Sequence, residues 1–173
     1  DTDPIGLYSP VISVGAIGPQ GTKTKYSNYG NWVDISAPGG DAEHQNGLVF
    51  STLPHNQYGG LQGTSMACPH VSGVAALGLS YAAKLRRHFK ADEFRDLLYE
   101  TATPIDQYMS GTKLYRKYVI DLEESSPLMS FDMKRFKGGM GQGQINAYAL
   151  LKAIENTGVE MTFPNVYVAQ GGQ

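Results

Sequence analysis

Short apolar runs broken by glycine and proline fill the first third of the chain, and longer helical patterns follow. Val11-Ile12-Ser13-Val14-Gly15-Ala16-Ile17 is β-rich and bounded by Pro10 and Gly18-Pro19, which predicts a buried strand. Gly15 inside it predicts a close backbone approach or a bulge. Gln20-Gly21-Thr22-Lys23 reads as a turn, and Trp32 to Gly39 as a second strand closed by Pro-Gly. Gly39 to Phe50 is polar, with Asp41, Glu43, His44, Gln45 and Asn46, and reads as a surface loop. Tyr58-Gly59-Gly60-Leu61-Gln62 reads as a glycine-kinked strand.

A long run of small and apolar residues starts near Thr64 and predicts a buried helix reaching Arg87, with basic residues at its far end, where the helix dipole favours them. Asp92 to Tyr99 predicts a second helix, acidic in its first turn and with Phe94, Leu97 and Leu98 on one face. It stops near Pro104. From Ile105 to Met140 the pattern is weak. Asp132, Lys134, Arg135 and Lys137 within it read as a solvated face. Ala147 to Glu155 has helical apolar spacing, with Asn146 as N-cap and Gly158 as terminator.

Composition adds limits. The 173 residues are one domain's worth, and 41% are hydrophobic, enough for a core. A formal charge of −2 gives no sign of a nucleic-acid or acidic-membrane partner. The 21 glycines favour tight loops over a helical bundle. One cysteine excludes an internal disulfide, and Cys68, inside the apolar helix start, reads as a buried thiol. No run is long and apolar enough to span a membrane. The chain opens at Asp1-Thr2-Asp3-Pro4 without Met and closes on Gln170-Gly171-Gly172-Gln173. It therefore reads as a piece of a longer protein.

Chemistry concentrates at Gln62-Gly63-Thr64-Ser65-Met66-Ala67-Cys68-Pro69-His70-Val71-Ser72-Gly73. Thr64 or Ser65 can cap the helix that begins there, and Pro69 suits an early helical position. A serine at a helix N-terminus also faces free N–H groups and a positive dipole end, which stabilise an oxyanion. From the physics alone, an ordinary capped helix is the simpler reading. The pattern is not the Gly-x-Ser-x-Gly elbow of the α/β-hydrolases, because Ala67 stands where that pattern has glycine.

The same stretch resembles the nucleophile motif of the subtilisin-like serine proteases. Val11–Ala16, Tyr26–Gly30, Asp34–Gly39, Phe50–Thr52 and Gly141–Ala147 resemble further family segments in the same order. The resemblance covers about Val11 to Tyr148 with two gaps. It implies an α/β, three-layer fold with a parallel sheet, present here as an incomplete C-terminal portion. Residues 1–157 would be the C-terminal part of the peptidase domain, with insertions near 40–48 and 105–140, and 158–173 a tail or the start of a following segment.

The resemblance also implies a serine endopeptidase acting through an acyl-enzyme on Ser65. Gly63 and Thr64 would line the substrate cleft, and the Ser65 N–H would supply part of the oxyanion hole. A serine nucleophile needs a base, and that base an orienting group. The family's Asp and His motifs do not occur in this sequence, nor does its side-chain oxyanion donor. Of the four histidines, His70 lies five residues past Ser65 and so about 140° around the helix, out of reach of its Oγ. His55 lies in a loop, and His44 and His88 read as solvated. The isolated chain is therefore expected to be inactive, and its implied partners are a polypeptide substrate and the missing N-terminal half of the same domain. Exposed strand edges would let the fragment aggregate or form a homodimer. The rival reading is a pseudoprotease or binding module that keeps the serine motif without a working base.

No catalytic cofactor is implied. Asp34 matches a family position that can join a weak cation site, a structural calcium or sodium, against a turn-capping role. Met66 reads as packing. The family implies a secreted, periplasmic or cell-surface location.

Overall fold

The computed structural model describes residues 11–116 and 127–157. The expected tail and Gly158 lie outside them. In chain order the elements are β1 (Val14–Ile17), β2 (Ile35–Pro38), β3 (Val49–Leu53), β4 (Gln57–Leu61), α1 (Thr64–Lys84), α2 (Ala91–Glu100), β5 (Thr112–Arg116), β6 (Leu128–Asp132) and α3 (Ala147–Asn156). Among the described residues, β1 and β2 are the only parallel pair; β3–β4 and β5–β6 are antiparallel hairpins. The parallel sheet is thus smaller than the expected central layer. A single parallel bridge from Ser36 to Gln144 extends it.

Both first strands are shorter than their apolar runs. The Ser13 N–H goes to the Asp34 carboxylate at 2.7 Å, so a side chain replaces a ladder carbonyl there. The Val33 N–H turns back to the Gly30 carbonyl at 3.2 Å, which keeps Trp32 to Asp34 out of β2. The strand alternation then sorts β1 between two cores. Ala16 joins Ile35, Ala37, Val71, Leu98, Leu150 and Ile154 beneath α1. Its neighbour Ile17 joins Ile105, Met109, Met133, Phe136 and Met140. Gly15 makes the predicted close approach, since a Cβ there would stand 2.9 Å from the Ser36 Oγ.

The second core gives the weakly patterned 105–140 interval its structure. Its buried residues are separated by charged ones, so no period shows. Met133 and Phe136 are buried, while Asp132, Lys134, Arg135 and Lys137 are exposed as expected. The polar loop after β2 is largely at the surface, with Asp41 as an exception. Asp41 is 2% exposed. It is buried because Lys113 of β5 pairs with it at 2.5 Å, which offsets the cost of removing a carboxylate from water. Glu43 in the same loop pairs with Lys25 at 3.0 Å and accepts the Arg116 N–H at 3.2 Å. The loop and the β5–β6 hairpin therefore clasp each other.

Helix α1 turns Ala67, Val71, Gly78 and Ala82 inward. The opposite side is exposed although it carries Cys68, Ala76, Leu77 and Leu79. The helix stops at Lys84, three residues before its expected end, because Arg86 takes a left-handed conformation at φ +56°. Helix α3 begins on Asn146, whose side-chain oxygen accepts the Ala149 N–H at 2.9 Å and whose amide donates to the Thr103 Oγ1 at 2.9 Å. Asn146→Ala is expected to destabilise the fold by about 1 kcal/mol, a Tm drop of roughly 3 °C. Asn146→Asp, which keeps the capping acceptor, should recover most of it in the same thermal melts.

Candidate active site

Gly63, not Thr64 or Ser65, occupies the N-cap of α1, and no side chain caps the helix. The chain enters at φ +153°, ψ 163°, which excludes a Cβ-bearing residue at low cost. Two hydrogen bonds fix this entry. The Gly63 N–H donates to the Gly39 carbonyl at the end of β2 (2.8 Å), and the Gly63 carbonyl accepts the Met66 N–H at 3.0 Å. The Tyr26 hydroxyl donates to the Gly40 carbonyl at 2.6 Å and braces the same strand end. Burial pushes the Tyr26 hydroxyl pKa up, so it stays a donor at neutral pH. The Tyr-Ser-x-x-Gly and Pro-Gly segments are readable in the sequence. Their service as the floor under Gly63 is not.

Thr64 and Ser65 are therefore the first two helical residues. Their N–H groups have no acceptor within the helix. Both side chains are exposed, and Ser65 Oγ has no hydrogen-bond partner among the described residues. Pro69 sits inside α1, deeper than the first turn. Having no N–H, it leaves the Ser65 carbonyl without its helical donor. Both the hydroxyl and the main chain of Ser65 thus remain available to a ligand.

Ser65 opens onto a cavity of about 640 Å³ lined by Ile12, Val14, Thr64, Cys68, Pro69 and Ser72 as well. Cys68 is exposed, against the buried thiol expected. The reason is geometric. Ala67 faces the core, and one residue further turns the side chain about 100° away, onto the side of Ser65. Met66 is half-buried, in keeping with packing.

None of the four histidines is placed to serve Ser65. His70 Nδ1 lies 2.7 Å from the Met66 carbonyl; a carbonyl only accepts, so that nitrogen carries the proton. His55 is exposed in the β3–β4 turn at φ +62°, beyond a five-residue strand that spans about 17 Å. His44 is half-buried, with Nδ1 2.8 Å from its neighbour's carbonyl, and His88 is exposed.

Asp34 is a clip. Besides the Ser13 N–H, its carboxylate faces Tyr99, whose hydroxyl pKa is pushed up to about 12 by burial first and by the Asp34 charge second. Asp34 therefore ties the entry of β1 to the segment before β2. No group of three His, Cys, Asp or Glu side chains suited to a metal occurs among the described residues.

The fold and site define an α/β chain with a serine presented at the start of its longest helix. Comparison with known proteins makes the class specific. The model of the subtilase family matches residues 4–141. The thermophilic serine proteinase of Bacillus sp. (strain AK1) is 41% identical over 111 residues, 64% of this chain and 23% of that protein. The intracellular serine protease of Paenibacillus polymyxa is 37% identical over 136 residues, 77% of this chain and 38% of its own length. Among solved structures, a protease from Pseudoalteromonas arctica superposes with a TM-score of 0.59 at 28% identity, over 87% of this chain and 38% of that one. The chain belongs to the subtilase family. It spans between about a quarter and two fifths of these relatives.

Proposed function

We propose that this chain is the C-terminal part of a serine endopeptidase domain and carries its nucleophile. Ser65 Oγ attacks the scissile carbonyl, and its proton passes to a histidine outside this chain. The Ser65 N–H, unpaired at the helix start, donates to the oxygen that becomes negative. Gly63 and Thr64 line the cleft beside the scissile bond of a polypeptide substrate. The observation that carries this reading is the presentation of Ser65, exposed and unpartnered at the pinned N-terminus of α1. The exposed, largely apolar back of α1 supports a second half of the domain packing there.

Residues 1–157 belong to that domain on this reading, with the 40–48 and 105–140 stretches as insertions and 158–173 as a following segment. The isolated chain is inactive, because no histidine of its own reaches Ser65. Catalysis needs no cofactor, and Asp34 acts as a structural clip. A secreted, periplasmic or cell-surface location follows from the family resemblance, although the Paenibacillus relative is named an intracellular enzyme.

Fluorophosphonate labelling tests the proposal. In a protein extended upstream to the full domain, mass spectrometry should place the adduct on Ser65, with none in Ser65→Ala. The 173-residue chain alone should take up no label. A folded full domain that is not labelled would instead favour a pseudoprotease.

A further inference from the structure

Away from Ser65, a cavity of about 260 Å³ lies between the turn after β1 and the β5–β6 hairpin. Its walls are the rings of Tyr29, Tyr115, Phe131 and Phe136, and Lys23 and Arg135 border it. Lys23 is only 5% exposed. Its Nζ donates to the Thr24 carbonyl at 2.8 Å and lies 4.8 Å from the centre of the Phe136 ring and 5.4 Å from that of Tyr29. Neither Lys23 nor Arg135 has a carboxylate partner among the described residues. Of the described acids nearby, Asp41 is taken by Lys113 and Glu43 by Lys25.

A buried ammonium without a counter-ion is costly, and the rings offset only part of that cost. Among the described residues the arrangement lacks an anion, and the cavity beside Lys23 offers the space for one. We propose that this cavity binds a small organic carboxylate, its oxygens held by Lys23 and Arg135 and its carbon body by Tyr29, Phe131 and Phe136. The volume falls below the roughly 300–1,000 Å³ of drug-sized sites, so the ligand is small. The planar guanidinium of Arg135, 5.5 Å from the Phe136 ring centre, matches a carboxylate in bidentate fashion. A phosphate would set further charged oxygens against ring faces, which are themselves negative. This inference does not depend on the peptidase reading.

Calorimetric titration of the full-length protein with phenylacetate, and in parallel with inorganic phosphate, tests it. Phenylacetate should saturate with a Kd near or below about 1 mM, weakened at least about tenfold in Arg135→Gln and in Lys23→Met but unchanged in Lys84→Gln. Arg135 is exposed, so its variant keeps the test valid should Lys23→Met fail to fold. Bound phenylacetate should also raise the Lys23 pKa, which burial has lowered to about 8, as read from the Nζ chemical shift. Absence of saturation, equal binding by Arg135→Gln, or saturation by phosphate alone would each overturn the proposal.

Discussion

Replacing Ser65 by alanine in the full domain is expected to lower kcat by roughly 10⁶, the size of loss that removing the nucleophile causes in subtilisin itself. KM for a peptide substrate should change little, because Gly63, Thr64 and the free N–H groups at the helix start stay in place. The expectation rests on position. Gly63 turns the chain into α1 over the end of β2, and Ser65 is the second helical residue, exposed and unpaired. No neighbouring side chain can take its role: Thr64 sits one residue before it, and Cys68 one turn further from the free N–H groups. Steady-state peptide hydrolysis by matched preparations decides the matter. Residual activity within about tenfold of the parent, a difference of roughly 1.4 kcal/mol, would remove Ser65 as the nucleophile. Ser65→Ala in the isolated chain should change nothing, since that chain is expected to be inactive already.

Gly143→Ala is expected to cost about 3 kcal/mol or more, from overpacking together with backbone strain. Gly143 has φ +131°, and a Cβ there would stand 2.2 Å from the Thr103 carbonyl oxygen. That contact is with main chain, which cannot swing aside as a side chain would. The segment around it stitches three parts of the fold. The Gly143 carbonyl accepts the Ser36 N–H at 2.8 Å, and Gln144 and Thr103 exchange hydrogen bonds of 2.8 Å each way. The Ile145 N–H donates to the Ser36 carbonyl at 2.8 Å. Asn146 then starts α3. Moving residue 143 therefore disturbs β2, the exit from α2 and the start of α3 together. Urea unfolding should show a midpoint lowered by about 1–2 M with little change in slope. Gly111→Ala is the control: φ is +71° there, but a Cβ would meet nothing within 4 Å, so only backbone strain, about 1 kcal/mol, should appear. Equal losses at the two sites would refute the steric argument.

Much of the chain is legible from residue type and spacing, because its signals are local. The 3.6-residue spacing of α2 and α3, the Asn146 cap and the two Pro- and Gly-bounded strand runs each depend on residues close in sequence. The serine motif is local as well, so residue order alone singles out Ser65. Expectation and structure part where a partner lies far along the chain. Cys68 stands in an apolar run that reads as buried, but which side of α1 faces the core is set by β1, β2 and α3. Asp41 stands in a stretch that reads as a surface loop, but Lys113, 72 residues later, draws it inside. A hydroxyl is the expected N-cap of α1, but the Gly39 carbonyl holds the Gly63 N–H instead.

By itself, then, the sequence determined the family, pointed to Ser65 as the candidate nucleophile, placed the three helices and showed that the family's Asp and His motifs do not occur in it. These follow from residue type and short spacing. Tertiary structure alone decided the rest: the pinning of Gly63 over the end of β2, the exposed apolar back of α1, the second core under the weakly patterned hairpin, and the burial of Lys23 with no counter-ion among the described residues. Each of these depends on which distant side chain arrives beside a given group. Burial and pairing energies are set by that neighbourhood and not by position along the chain.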